Sequence, residues 1–240
     1  MNRFIASALL IIISFGVNAQ QLLVDSKPVM NEESKSVDAW VAHLDQDMNY
    51  CITTFNEFMR KNFDARTNKR SKNVYSVDHK VFSEISNLRI DLRAIFSQES
   101  NGTAVAFQFS PGYDIHFGVT QYNEEFDKAK ALVKSYVRFH YKQYYEEQIK
   151  EVQSKIKSKE KSIASNDSKI EKNNKAMQLN AEDIAVNATG SDKLREKNEK
   201  MEKENAILQQ ENEKYKTDIS QLEADIVSYK DKIALTETFN

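Results

Sequence analysis

Arg89, Asp91 and Arg93, with Ile95 after them, occupy alternate positions between Leu88, Ile90, Leu92, Ala94 and Phe96. Asp114 and His116 sit the same way between Tyr113, Ile115 and Phe117. Period-two alternation puts the polar members on one face of a sheet. If the strands are neighbours, acid, base and cation meet on one rigid surface. Such a surface can bind an anionic ligand or do general acid–base work. It is also the ordinary solvated face of a sheet with cross-strand ion pairs.

A second cluster is basic. Lys61, Arg66, Lys69, Arg70 and Lys72 follow a predicted helix, with Asp64 the acid among them. It reads either as a solvated helix end or as an anion patch for lipid headgroups, polysaccharide or nucleic acid. No aromatic residues interleave it, which weakens the nucleic-acid version. A formal net charge of -2 likewise predicts no wholesale nucleic-acid binding.

Other chemistry has little support. There is no phosphate-cradling glycine motif, no metal-binding His-Glu helix and no nucleophile elbow, so no cofactor and no metal is expected. His43, His79, His116 and His140 are scattered. Cys51 is the one cysteine, on the apolar side of a predicted helix, and reads as a buried thiol.

The expected fold class is α+β: a small antiparallel sheet covered by two helices, with a long antiparallel coiled-coil helical hairpin at the C-terminus. Residues 1–19 read as a signal peptide, with Arg3, an apolar run from Ala6 to Phe15, and Val17-Asn18-Ala19 before the cut. Residues 20–35 are polar, hold Pro28 and read as a flexible leader. The head is placed at 36–144. Within it a helix is predicted from Ser36 to about Phe63, from the stripe Trp40, Val41, Leu44, Met48, Cys51, Ile52, Phe55, Phe58 and Met59. Strands are expected around 74–77, 88–96, 105–109 and 113–117, with turns at Asn101-Gly102 and Pro111-Gly112. One sheet face should rest on helices and the other be partly wet. A second helix starts near Tyr122 and runs into the arm, with Tyr141, Tyr144 and Tyr145 as a packed collar at the junction.

The arm spans 145–237, with its turn near 187–191. Ile149, Ile156, Ile163, Ile170, Met177 and Ile184 recur every seventh residue; so do Leu194, Met201, Leu208, Tyr215, Leu222 and Tyr229. These are seam lines. One antiparallel register pairs Ile184 with Leu194 and, on the companion lines, Asn166 with Asn212, Asn173 with Asn205 and Asn180 with Asn198. In that register the flanking pairs Lys155–Asp225, Lys169–Glu211, Asp183–Lys197, Glu160–Lys216 and Glu146–Lys230 are all opposite in sign. Gly190 suits the end of the first helix, and Ser191 or Asp192 the cap of the next. Each arm helix is about 60 Å long. A parallel dimer is the competing arrangement, and the hairpin leaves a homodimer open as well.

These patterns predict an exported protein, in a bacterial periplasm or outside the cell, with no transmembrane segment in the mature chain. Two functions fit. One is a non-enzymatic interaction protein that binds a protein partner through the arm. The other is a ligand-binding or hydrolytic head that uses the polar sheet face, with the arm serving assembly.

Overall fold

The computed structural model describes residues 23–113, 115–186 and 190–239. The signal-peptide reading and Asp114 fall outside them, as does most of the turn joining the arm helices.

Six strands form one antiparallel sheet: β1 (Val24–Met30), β2 (Ser36–Leu44), β3 (Asn68–Lys69), β4 (Val74–Val81), β5 (Arg89–Glu99) and β6 (Gly102–Ser110), in the order β1-β2-β6-β5-β4-β3. Helix α1 (Met48–Phe63) carries the chain from β2 across to the far edge, and β4, β5 and β6 return by successive pairing until β6 closes on β2. Helix α2 (Asn123–Val186) then covers the sheet beside α1 and continues as the first arm helix; α3 (Ser191–Glu237) packs back along it. The expected α+β head with a C-terminal helical hairpin is what the chain adopts.

Three segments differ from expectation, two of them at the start of the sheet. Residues 36–44 form a strand, and the helix begins only at Met48, capped by Asp47, whose Oδ1 accepts from the amides of Asn49 and Tyr50. The cause is that β2 is buried on both faces. Trp40, Ala42 and Leu44 join the main core, while Ala39 and Val41 join a second cluster on the opposite face. A strand buried on both sides shows no alternation, and a short apolar run of that kind imitates a helix. The flexible leader is also corrected. Residues 24–30 are β1, paired along β2. Pro28 is tolerated because β1 is an edge strand. The β1–β2 turn is held by Asn31, whose Oδ1 accepts from the amides of Glu33 and Lys35.

The second sheet face is drier than expected. Ala39, Val41, Ala104 and Ala106 are buried there, with Val29 and Ile95 packed on them. Ala106 lies between Val41 on one neighbouring strand and Ile95 on the other. Gln108 donates its amide to the Val29 carbonyl at 3.0 Å and draws the β1 edge inward. The expected strand at 113–117 reduces to a bridge between Gly112 and Ile115 and a bond from the Phe117 amide to the Phe109 carbonyl.

On the other face, Phe55, Phe96, Phe107, Phe109, Phe126 and Tyr136 are fully buried between sheet and helices. Trp40 stacks on Phe126 and donates its indole N–H to the Phe126 carbonyl at 2.7 Å, pinning the start of α2 to β2. The β5–β6 hairpin turns at Ser100-Asn101, and Gly102 follows at φ 141. A Cβ there would meet the Leu44 carbonyl oxygen at 2.0 Å, so no side chain fits.

Gly102→Ala should therefore cost about 3 kcal/mol, from backbone strain plus overpacking. Gly112→Ala has positive φ but open space, and should cost about 1–2 kcal/mol. Urea unfolding of the two variants tests the order.

Candidate functional site

The polar sheet-face residues do not assemble into a reactive centre. Asp91 and Arg93 do project from the same face of β5, beside Ser110 and Gln108 of β6. Asp91 is already engaged: its Oδ1 accepts the His79 amide at 2.7 Å and lies 3.3 Å from His79 Nδ1. His79 has φ 53 and sits where the β4–β5 register shifts between Val77 and Lys80. Asp91 thus holds a bulge, which is a structural task. Arg89 lies beyond it, paired with Val81 at the strand end and exposed. His116 is half-buried in the connection after β6. Asp114 is outside the described residues.

The basic cluster is divided by the fold. Arg70 binds Asp78 at 2.6 Å and donates to Ser76 Oγ. That contact raises the guanidinium above its ordinary pKa; Asp78, bonded by Arg70, Asn68 and Ser76, lies below the usual carboxylate range despite its partial burial. Lys61 belongs elsewhere. It pairs with Glu57 along α1, and its ammonium lies over the Phe139 ring. There it borders a groove of about 350 Å³ with Lys142, Gln143, Glu146, Glu147 and Lys150 at the foot of the arm. Arg66, Lys69 and Lys72 are exposed on the α1–β4 connection.

Two polar arrangements have sharper geometry. One is buried in the head. His140 of α2 is fully buried, with Nδ1 2.7 Å from Thr54 Oγ1 and Nε2 2.6 Å from Gln46 Oε1. Burial depresses its pKa to about 3, so the ring is neutral. One assignment uses each hydrogen once: Nε2–H donates to Gln46, the Thr54 hydroxyl donates to Nδ1, and the Tyr136 hydroxyl donates to the Cys51 carbonyl at 2.9 Å. Thr103 donates to the Gln46 carbonyl. The network ties the β2–α1 connection to β6 and α2. Cys51 is inert within it, fully buried with its thiol pushed up to about 12. Nothing in local spacing announces this network, because His140 finds its partners more than eighty residues away. A second histidine, His43, is clamped between Glu99 at 2.9 Å and Asp25 at 3.6 Å, linking β1, β2 and β5.

The other arrangement is the ladder in the arm. Asn166 donates to Asn212 Oδ1 at 3.0 Å, Asn173 to Asn205 at 2.9 Å and Asn180 to Asn198 at 2.7 Å, in the expected register. Neighbouring groups accept further amide hydrogens in two of the layers. Asn166 and Asn173 also donate to Glu211 and Glu204, while Asn212 and Asn205 donate to Asp167 and Asn174. Every residue on the four seam lines is buried or half-buried.

The flanking charges behave differently from expectation: none of the five facing pairs closes to an ion pair. Lys155 turns to Glu151 and Lys216 to Glu213 on their own helices, while Lys159–Asp218 at 2.7 Å and, at the foot, Lys142–Glu237 at 3.2 Å cross between the helices. Neighbours one turn away compete well at an exposed surface, where such pairs contribute little. The expected cap is also corrected. Gly190 itself is the N-cap of α3, left-handed and without a side-chain bond, and Ser191 is the first helical residue.

The arrangement as a whole can position and recognise. The hydroxyl, imidazole and orienting amide that do meet, Thr54, His140 and Gln46, have the hydroxyl and the ring fully buried and serve to join the elements of the head.

Two outcomes follow. Unfolded His140 takes up a proton below pH 6.5, but the native ring refuses one until about 3. Stability is therefore fully present above 6.5 and falls with pH through that window, by up to about 1.4 kcal/mol per unit. Urea midpoints over this range should show a steeper acid loss than those of His140→Gln. In the arm, Asn173→Leu alone should lower stability by about 1–3 kcal/mol, by leaving Asn205 short of a partner. Adding Asn205→Leu should restore it or exceed the parent, as thermal melts by circular dichroism would read.

Comparison of the chain with protein-family models, with curated proteins and with solved structures gives no match.

Proposed function

We propose that the chain is an exported, non-enzymatic interaction protein whose antiparallel coiled-coil arm is a rigid lever for docking a protein partner, with the head as its anchor. The observation that carries this reading is the continuity of α2. Its first part buries Phe126, Ala129, Leu132, Val133, Tyr136 and Val137 in the head, and its second part packs on α3 alone. The foot of the arm is clasped. Tyr145 stacks on Tyr141 and on Tyr229, with the Lys232 ammonium over both arm rings. Arg138 donates to the Phe239 carbonyl at 2.7 Å, and Lys142 pairs with Glu237. An arm fixed this way transmits orientation between head and tip, which a flexible tether would not.

Export is part of the proposal and rests on the N-terminal residues. No helix among the described residues is long and apolar enough to cross a membrane.

Replacing 149–233 with a short linker removes Tyr229, Lys232 and Ile233 but keeps the buried head core and the Arg138–Phe239 and Lys142–Glu237 contacts. The head should still unfold cooperatively, while partner capture in the native compartment disappears. Capture that survives with a folded head and no arm would assign recognition to the head and end the lever reading.

A further inference from the structure

The two flanks of the arm are not equivalent. Glu204 and Glu211 immediately precede Asn205 and Asn212 in α3 and accept from the α2 amides, which places them on one flank. Asp167 and Asn174 immediately follow Asn166 and Asn173 in α2 and accept from the α3 amides on the other flank. Leu179 immediately precedes Asn180, so it leans to the first flank, and Val186 repeats its position two turns later. Ile207 stands three residues after Glu204, on the same side of α3. These side chains are 62%, 81% and 58% exposed, respectively. Exposed in the monomer, Leu179 and Val186 on α2 and Ile207 on α3 place three apolar side chains on this flank of the tip half.

Charge separates the flanks as well. Lys169, Lys172, Lys193 and Lys197 line the apolar flank, and none has a carboxylate partner among the described residues. That flank holds three carboxylates at this depth: Glu204 and Glu211, occupied by the asparagine ladder, and Asp183, which faces Lys197 without closing an ion pair, so the lysines outnumber the one carboxylate outside the ladder. The opposite flank at this depth carries Asp167, Glu199 and Glu202 and no large exposed apolar side chain.

We propose that the Leu179–Val186–Ile207 flank docks an acidic amphipathic helix of a partner protein. This deepens the lever reading and rests on it. Leu179 and Val186 are about 10.5 Å apart along α2, the i to i+7 spacing of a helix laid parallel to the arm. Apolar anchors on that spacing pack on these side chains, and Glu or Asp at the partner's edges meet the unpaired lysines. A second copy of the chain is a poorer occupant, because a two-fold contact sets two basic flanks against each other. A lipid surface is poorer too. The exposed apolar side chains lie along the arm rather than across its end, and the sequence from Glu146 to Lys214 holds no aromatic residue to anchor at an interface.

The test uses the full chain and two labelled synthetic helices of roughly three heptads, with leucine seams and either glutamate or lysine edges, followed by fluorescence anisotropy. The glutamate helix should bind more tightly by about tenfold or more, a difference of about 1.4 kcal/mol. Leu179→Glu with Val186→Glu should remove that binding, and Lys193→Glu with Lys197→Glu should reverse the preference. All four positions are exposed, so the thermal transition should not move. Equal binding of both helices, or binding indifferent to these substitutions, overturns the proposal. So does stronger sedimentation with anionic phospholipid vesicles, or self-association lost in the same variants. If arm-dependent partner capture persists in the Leu179→Glu, Val186→Glu chain, this flank is wrong while the lever stands.

Discussion

One helix has to satisfy two different partners. The first part of α2 is a cover for a sheet, with a wide apolar stripe; the later part is half of a pair, with a narrow seam. A helix extending alone into water is marginal, since its stability comes from packing rather than propensity. The return of α3 is thus a condition for α2 to extend at all. The exchange of partners occurs over Tyr141, Tyr144 and Tyr145, with Tyr145 in ring contact with Tyr141, Tyr144 and Tyr229. Wide, flat side chains suit that place, because they cover apolar surface of both the head and the arm.

The arm then gives up stability for alignment. Leucines and isoleucines along its whole length would bind more tightly, yet they would tolerate a slip by one heptad. Three matched amide layers resist it, because a slip by one heptad re-pairs two of them but takes the amide partner from one asparagine on each helix. In the Asn166–Asn212 and Asn173–Asn205 layers each amide also contacts its flank, which makes those layers directional. Asn166 and Asn212 reach Glu211 and Asp167 on opposite sides. The polar layers are concentrated away from the foot, where Val152 is buried and Tyr145 meets Tyr229.

The arm was legible in the sequence because its contacts repeat. A seven-residue spacing sustained over many turns leaves few alternatives, and Asn166, Asn173 and Asn180 have partners at matching intervals. β2 was not legible, because burial on both faces erases the alternation that marks a strand. β1 was hidden by Pro28 and by polar residues that an edge strand can expose. For the head chemistry, the types were readable and the roles were not. Asp91 looked like a general acid or base, but a bulge at His79 claims it. His140 sat in an apolar stripe, while Gln46 and Thr54, which make it a network, carry no signal of their own. Long-range polar partners are set by topology, and topology is what a single sequence states least directly.

The charges on the arm complete the physical picture. Opposite signs across the expected register suggested that ion pairs choose the alignment. The asparagines do that, and most arm lysines that pair do so with acids one turn away on their own helix. An alignment fixed by amides inside the seam leaves the outer charges free of that duty. They can then differ between flanks without disturbing the fold, and here they do: lysines predominate beside exposed aliphatic residues on one side, and carboxylates predominate on the other. Separating alignment from surface charge lets partner choice on the surface vary without loosening the arm.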